Sequence, residues 1–571
     1  MTDAAAEGTD PEALVRQGLA LHQSGDLRDA CERYEAALAL APDHFDALHL
    51  LGVVQLQLQA PERAVALIGR ALGIDPNAAA AHCNLALALS QSGDLKAALA
   101  SADRAIALSA DYVEAHVNRA AILLRLERPA PALASYDAAL ILRPGSAALH
   151  VGRARALSDL ARYVEALAAA NRAVALEPDL AEAHHRCGLA LFDLDRLDAA
   201  LAAFERSVDR APGYAEAHAN RAMTLYDLGR REEALIAADR ALALRSDFPE
   251  VELTRAMSLL SVGKLREGFE AYRSRWRLPR FADRAPPVSC PLWDGQDVTG
   301  KSVLVWREQG FGDCIQFARY APLLASIAGS VTLLADPPLT RLFRSLPKVE
   351  VLDRLEDDAG PFDYQIPLLC LPRVFGTTLE TIPAGAPYLS ANSEDAATWS
   401  ARLEDTGDLR IGLVWSGADR SADPTGAAMD RRRSVSLARL APLARVQGAT
   451  FVSLQKGEAA AQAARPPAGM RLIDLTADLH DFADTAALIS ALDLVVTVDT
   501  AVAHLAGALG KPVWVLSRFD GCWRWLGDRE DSPWHPTARI FRQRTSGDWD
   551  GVIERVAVAL VQLGEHGITK P

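Results

Sequence analysis

One stretch decides the fold of the C-terminal half: LDLVVTVDTAVAHLAGALGKPVWVL, residues 492–516. An apolar run ends at Asp499, Thr500 is a favoured residue at a helix N-terminus, and Gly510 ends the helix before the next apolar run. This order predicts two parallel strands joined by a crossover helix. Free N–H groups at the helix start favour a phosphate, but a crossover helix in any α/β protein has the same pattern. Both interpretations stay open from this stretch alone.

The same alternation of strands and helices continues on both sides of that stretch. Predicted strands cover residues 302–306, 331–336, 349–353, 409–417, 450–455, 493–499 and 512–517. Strands that alternate with helices predict parallel sheets with both faces covered. We therefore expect two α/β halves, residues 299–392 and 393–571, with a ligand cleft beyond the carboxyl ends of their strands.

A repeat of 34 residues fills the N-terminal part of the chain. Alanine recurs at Ala30, Ala64, Ala98, Ala132, Ala166, Ala200 and Ala234. Seven residues after each of them stands another small residue: Ala37, Ala71, Ala105, Ala139, Ala173, Ser207 and Ala241. The pattern resembles the tetratricopeptide repeat family, whose unit is a helix–turn–helix of that length. The resemblance covers residues 11–248, with a capping repeat after them, and implies an all-α superhelix over 1–280 followed by a linker, 281–298.

Two ladders of polar residues follow the repeat. Asn84, Asn118 and Asn220 share one register, and His82, His116, His150, His184 and His218 share another. Asparagine amides could hold the backbone of an extended acceptor peptide or cap neighbouring carbonyls, and both alternatives stay open. We interpret the histidines as packing or surface residues, because their spacing does not let several converge on one metal ion.

The stretch after the apolar strand also resembles a known family. Its pattern D-T-x-x-x-H-L-x-x-A-L-G-x-P is similar to the nucleotide-sugar half of GT-B glycosyltransferases of the bacterial heptosyltransferase family. The resemblance implies that Asp499, Thr500 and His504 lie at the donor site, with the helix start facing the donor phosphates. It also implies a cationic residue on those phosphates within MDRRRSVSL, residues 429–437, where Arg432 and Arg433 are the candidates. A solvated basic patch is the alternative for these two arginines.

The first α/β half contains REQGFGDCIQF, residues 307–317. In the same family a Gly-Asp pair after the first strand opens a helix, and the aspartate deprotonates the acceptor hydroxyl. Gly312 and Asp313 occupy that place, so the resemblance implies that Asp313 is the catalytic base and that Gly312 contacts the donor. A helix cap is the alternative role for Asp313, and Glu308 is the next candidate for the base.

Repeats joined to such a domain resemble transferases that modify proteins. The EQGFGD and DTAVAH stretches are most similar to cytoplasmic flagellin glycosyltransferases, which attach a nonulosonic acid such as pseudaminic acid from a CMP-sugar to serine or threonine. The resemblance implies flagellin or another secreted protein, before export, as the acceptor. Two other functions are a repeat scaffold with a degenerate glycosyltransferase half, and a transferase that acts on lipopolysaccharide or another glycan.

Composition narrows the classes of function. A formal net charge of -14 disfavours nucleic acid as a partner, and the longest apolar runs fall short of a membrane helix, so we expect no membrane insertion. The acidic N-terminus lacks an apolar leader core, and seven dispersed cysteines without a C-x-x-C pair fit reduced thiols, so we expect a cytoplasmic protein. Because no D-x-D motif follows a strand, we expect transfer without a metal ion or other cofactor.

Overall fold

The computed structural model describes residues 10–282, 284–355, 361–406, 409–417, 430–527 and 529–566. Residues 1–9, on which the expectation about a leader rests, lie outside the described residues, and so does Met429 of the predicted cationic stretch. The described chain divides between Asn220 and Arg221 into two compact units.

Paired helices make up the first unit. They are α1 (Pro11–Ser24), α2 (Leu27–Leu40), α3 (Phe45–Gln57), α4 (Pro61–Ile74), α5 (Ala79–Ser92), α6 (Leu95–Leu108), α7 (Val113–Arg125), α8 (Pro129–Leu142), α9 (Ala147–Asp159), α10 (Tyr163–Leu176), α11 (Ala181–Asp193) and α12 (Leu197–Arg210), and α13 (Ala215–Asp227) crosses the division. The recurring alanines are fully buried, because each lies where the two helices of a pair approach each other. A Cβ added to Gly52 would lie 2.5 Å from Ile68, which shows how close this approach is. The predicted repeats are confirmed.

The histidine ladder has a structural role in the repeats. The Nε2 atoms of His82, His116, His150, His184 and His218 lie 3.0, 3.0, 3.3, 2.8 and 3.1 Å from the backbone carbonyl oxygen six residues earlier. Each ring therefore binds the turn that begins its own repeat. These contacts agree with the interpretation of the histidines as packing or surface residues.

The second unit contains the last repeat helices and two sheets. Its first helices are α14 (Arg231–Leu244), α15 (Pro249–Ser261), α16 (Leu265–Ala271) and α17 (Pro279–Ala282). Its strands are β1 (Ser302–Trp306), β2 (Ser330–Leu334), β3 (Glu350–Leu352), β4 (Tyr364–Pro367), β5 (Leu409–Val414), β6 (Ala449–Ser453), β7 (Leu472–Asp474), β8 (Leu494–Val498), β9 (Val513–Ser517) and β10 (Ala538–Arg542). The remaining α-helices with defined bounds are α18 (Phe311–Phe317), α19 (Ala321–Ala325), α20 (Pro337–Phe343), α21 (Leu371–Val374), α22 (Ser393–Arg402), α23 (Phe482–Ser490), α24 (Ala501–Ala508) and α25 (Trp549–His566). Among the described residues, every helix is too short or too polar to cross a lipid bilayer.

Both sheets are parallel, and each has a point where the strand order reverses. The first sheet has the order β3-β2-β1-β4, and the second has the order β10-β9-β8-β5-β6-β7. In such sheets ligands bind beyond the carboxyl ends of the strands on either side of the reversal, here β1 with β4 and β5 with β8. The predicted fold class, repeats followed by an α/β part with parallel sheets, is confirmed. The sequence did not predict β4, β7 and β10, which are short or carry polar residues.

The last repeat helices share a hydrophobic core with the sheets. Phe269 of α16 lies 5.8 Å from Trp523 and 6.2 Å from Phe317, measured between ring centroids. All three side chains are buried in one cluster with residues of β1 and β9. Packing therefore divides the chain after Asn220, whereas the repeat pattern places the end of the helical part near residue 280.

Candidate active site

The predicted base loop and the predicted donor helix lie side by side. A Cβ added to Gly312, in the first turn of α18, would lie 3.0 Å from the Cδ2 of His504 and 3.4 Å from the Cα of Ala501. Glycine at position 312 thus lets α18 of the first half rest directly on the first turn of α24 in the second half. The structure brings Asp313 and the DTAVAH stretch into one region, beside the carboxyl ends of β1 and β8.

Asp313 has partners on both sides. Its Oδ2 accepts a hydrogen bond from the backbone N–H of Gly310 at 3.2 Å, and its Oδ1 forms an ion pair with Arg524. Its side chain remains 20% exposed. Asp313 therefore does bind the backbone at the start of α18, which is the alternative role of a helix cap. Part of its side chain is still exposed to solvent. Its role as the base stays a prediction.

Asp499 and Thr500 form the start of α24. The Oδ1 of Asp499 accepts a hydrogen bond from the indole N–H of Trp525 at 2.8 Å. Thr500 is the N-cap residue, and its hydroxyl lies 3.0 Å from that of Thr497. Among the described residues, the Thr500 side chain makes no hydrogen bond to the helix that it caps. The N–H groups of the first turn are therefore not satisfied by this cap and can meet an anion.

His504 lies beneath this helix start. It is buried, stacks on Trp525 with centroids 5.0 Å apart, and its Nδ1 lies 3.1 Å from the Nε2 of His535. Burial lowers the pKa of His504 to about 3, and burial also lowers the pKa of His535. Both rings are therefore neutral near pH 7. His504 supports the position of α24 and Trp525 and supplies no positive charge to a donor phosphate.

The two candidate arginines take different positions. Arg433 forms an ion pair with Asp430 at 2.5 Å, donates to the carbonyl of Asp499 at 3.1 Å, and lies against Gly417 just beyond β5. Arg432 points elsewhere and forms ion pairs with Asp227 at 3.5 Å and Asp520 at 3.6 Å. The side chain of Arg433 is only 13% exposed and that of Arg432 only 20%. The alternative prediction, that these arginines form a solvated basic patch, is therefore wrong. Arg433 is the arginine at the reversal between β5 and β8.

In the part of the chain that the structure describes, three arginines around the site keep buried N–H groups without an acceptor. Within the described part of the chain, the Nε of Arg433, the Nε of Arg524 and the Nη1 of Arg518 have no hydrogen-bond partner. A buried donor without an acceptor typically costs about 1–3 kcal/mol, and more when it is charged. An anionic ligand at this place would satisfy these donors, and guanidinium groups suit phosphate or carboxylate oxygens.

Glu308 requires a correction. Its side chain is fully buried, and its two carboxylate oxygens accept hydrogen bonds from Arg275 at 2.8 Å each. One of them also accepts the backbone N–H of Leu369 at 3.1 Å. These contacts make Glu308 a structural carboxylate, whereas the sequence offered it as the next candidate for the base after Asp313.

The predicted acceptor residues join adjacent repeats. The Nδ2 of Asn84 lies 2.9 Å from the Nε2 of His49, and the Nδ2 of Asn220 lies 2.7 Å from the Nε2 of His185. Asn118 donates to the carbonyl of Cys83 at 3.2 Å. These bonds run to the preceding repeat, so the amides also fix the stacking of neighbours. Their contact with an acceptor stays a prediction.

Sequence reasoning missed Arg524 and Trp525, which connect the two halves of the site. Their only signal was the density of tryptophan in the stretch 523–536, which follows a strand without showing what it contacts. Among the described residues, no group of three or more His, Cys, Asp or Glu side chains is placed to hold a metal ion. Transfer without a metal ion stays a prediction.

Comparisons with known proteins agree with the two parts of the fold. The tetratricopeptide repeat profile matches residues 15–79, 83–147, 151–215 and 185–249, and the profile of glycosyltransferase family 9 (heptosyltransferase) matches residues 441–517. Protein FlbA of Caulobacter vibrioides (strain ATCC 19089 / CIP 103742 / CB 15) is 32% identical over 323 residues, which cover 52% of this chain and 52% of FlbA. The chain thus matches about half the length of that curated relative.

Solved structures with similarity to this chain include two repeat proteins. A tetratricopeptide repeat protein from Parabacteroides merdae ATCC 43184 is 18% identical and covers 44% of this chain and 98% of its own, with a TM-score of 0.38. YrrB is 27% identical and covers 32% of this chain and 95% of its own, with a TM-score of 0.27. From the profile matches, the chain joins tetratricopeptide repeats to a domain of the glycosyltransferase family 9 (heptosyltransferase) type.

Proposed function

We propose that the protein is a GT-B glycosyltransferase that moves a sugar from a nucleotide donor to a polypeptide acceptor held by the repeats. One observation carries the proposal: α18 and α24 meet where Arg433, Arg518 and Arg524 keep buried N–H groups without acceptors among the described residues. A nucleotide sugar carries its negative charge on phosphate, which matches these donors and the start of α24.

In the proposed reaction each group has one task. The N–H groups at the start of α24 and the guanidinium of Arg433 bind the donor phosphate and stabilise the charge that develops on the leaving phosphate oxygen. Asp313 accepts the proton of the acceptor hydroxyl. The hydroxyl oxygen forms a bond to the anomeric carbon while the bond from that carbon to the donor phosphate breaks. Arginines and a helix start supply the charge compensation, so the proposed transfer needs no metal ion.

Flagellin is the acceptor in this proposal, and the sugar is a nonulosonic acid such as pseudaminic acid from a CMP-sugar. Two features support this choice: repeat arrays of this type bind polypeptides, and the EQGFGD and DTAVAH stretches resemble those of flagellin glycosyltransferases. The modified residue would be a serine or threonine, since the reaction needs a hydroxyl group.

The donor site can be tested with a single change at the helix start. Thr500→Val keeps the shape of the side chain and removes a hydroxyl within reach of a bound phosphate. A hydrogen bond to a charged group contributes about 1.5–3 kcal/mol, so affinity for the matching nucleotide should fall about 10- to 100-fold. Calorimetry with CMP, UDP, GDP and ADP measures this on the full chain.

Thr485→Val is the matched control for that experiment. Thr485 is a buried threonine of α23, and its hydroxyl donates to the carbonyl of Asp481 at 3.0 Å. This variant should bind nucleotide like the parent. If no nucleotide binds the parent, or if Thr500→Val binds as tightly as the parent, the donor site is placed wrongly.

The acceptor can be tested by intact mass. Flagellin from a strain that carries the gene should be heavier than flagellin from a deletion strain by a whole number of nonulosonic acid residues. Complementation with the parent gene should restore the mass. Equal masses in the two strains would refute flagellin as the acceptor, and the same comparison on other secreted proteins would then identify the substrate.

A further inference from the structure

One repeat carries an arginine where the others carry an apolar residue. The first position of the second helix is occupied by Leu27, Pro61, Leu95, Pro129, Tyr163, Leu197 and Leu265 in the other repeats. In the seventh repeat this position is Arg231, at the start of α14. Arg231 is nevertheless only 5% exposed. A buried arginine at an apolar position needs partners, because an unpaired charge is costly to bury.

The partners of Arg231 lie in the loop after β9. Its Nη2 donates to the carbonyl oxygens of Asp520 at 2.8 Å and Gly521 at 2.7 Å. Its guanidinium carbon also lies 4.8 Å from the ring centroid of Tyr226. The arginine therefore holds a backbone turn of the α/β part from a helix of the repeats.

That turn belongs to the loop 518–526, which connects the two halves of the candidate site. Further along the loop, Arg524 pairs with Asp313 of the first half. The next residue, Trp525, donates to Asp499 of the second half. A shift of the turn at residues 520–521 would therefore move groups that touch both candidate catalytic and donor residues.

A second deviation from the repeat pattern is also a buried arginine that binds a loop of the candidate site. The series of small residues that ends at Ala241 continues, 34 residues later, with Arg275. Arg275 is 1% exposed and binds Glu308, in the loop that leads to Asp313. Arg231 and Arg275 both break the repeat pattern and are both buried. Each of them binds a loop that belongs to the candidate site.

We propose that Arg231 is a positioning residue for the transfer reaction, which acts by holding the loop 518–526 through the carbonyls of Asp520 and Gly521. The statement about the reaction rests on the proposed function. In this proposal the last repeats, which lie in the same compact unit as the candidate site, serve the site as well as the acceptor.

Hydrogen exchange on the full chain tests the contact without any substrate. Arg231→Leu installs the residue type of the other repeats, so α14 should stay folded while the two carbonyls lose their donor. Amides of the loop 518–526 should then exchange at least about tenfold faster, and Arg231→Lys should give an intermediate rate. Arg240→Leu, at an exposed position on the same helix, should leave the loop unchanged. Equal exchange of the loop in parent and Arg231→Leu, or an equal rise over all the last repeat helices, would overturn the proposal.

Kinetics separates positioning from stability. With Arg231→Leu, kcat/KM for the nucleotide sugar should fall about tenfold or more with a higher donor KM, and Arg231→Lys should recover part of it. An unchanged KM, with activity that only follows the folded fraction, would overturn the positioning role. If the parent transfers no sugar, the proposed function fails, and the exchange rates alone then decide whether Arg231 holds the loop.

Discussion

Asp313→Asn should lower the rate of sugar transfer by roughly 10²-fold or more, because an amide cannot accept the proton of the acceptor hydroxyl. The change should have a small effect on the fold. Asparagine has the same shape, and its single oxygen can still accept from the N–H of Gly310, while its NH2 group takes the place of the oxygen that pairs with Arg524. Donor affinity should stay within a few fold of the parent, since Asp313 belongs to the half that does not hold the donor.

Asp363→Asn is the matched control for this change. Asp363 also accepts a backbone N–H, from Ser302 at 2.8 Å, and also pairs with a cation, Lys301 at 3.0 Å. It lies beside the first residue of β1, at the opposite end of the strand from the candidate site. Asp363→Asn should therefore share the loss of charge and leave the transfer rate close to that of the parent.

Transfer to the acceptor protein, followed by intact mass over time, measures both variants. An Asp313→Asn enzyme that works at close to the parent rate would leave Asp313 with the role of a helix cap. The ion pair with Arg524 adds a further expectation: while it persists, the guanidinium occupies one of the two carboxylate oxygens of Asp313. An anionic donor that competes for Arg524 would weaken the pair, so we expect Asp313 to work best with donor bound.

The sequence predicted the parts of the fold that depend on local pattern. The spacing of Ala30, Ala64 and their successors identified the helix pairs, because each repeat buries the same small side chain. The alternation of strands and helices identified two parallel sheets. Strand β4 escaped prediction because its four residues, YQIP, are half polar and end in proline. Family resemblance implied that Asp313 and Thr500 belong to one site, and in the structure α18 packs against α24.

The rest of the site depends on contacts between distant residues. Arg231 and Gly521 are separated by 290 positions, and no local pattern links an arginine on a repeat helix to a carbonyl in a loop. The same holds for Arg524 with Asp313. Glu308 is a further case: the sequence offered it as the next candidate for the base, but it is buried in an ion pair with Arg275. A deviation from an otherwise regular repeat is the one signal that sequence alone offers for such contacts.

The second large effect concerns stability. Arg275→Met should destabilise the second unit by about 3–5 kcal/mol, because it leaves the carboxylate of Glu308 buried without its charged partner. Arg439→Met is the matched control, since Arg439 pairs with Asp550 at 2.7 Å with side chains 40% and 79% exposed. An exposed pair of this kind contributes little to stability, because water screens both charges.

Tryptophan fluorescence reports this change selectively. All ten tryptophans lie between residues 276 and 549, so thermal or urea unfolding followed by fluorescence measures the unit that contains the pair. The unfolding midpoint of Arg275→Met should fall clearly below that of Arg439→Met. Equal midpoints would mean that the buried pair does not contribute to the fold.

The double variant Arg275→Met/Glu308→Leu tests whether the reaction needs the carboxylate of Glu308 or only that of Asp313. Replacing both charges with apolar side chains removes the unpaired carboxylate, so most of the lost stability should return. The variant then has no carboxylate at position 308, while Asp313 is unchanged. If Asp313 is the base, the folded double variant should still transfer sugar at a rate far above that of Asp313→Asn. A double variant that regains the parent stability but has lost transfer to the level of Asp313→Asn would instead make Glu308 essential to the chemistry.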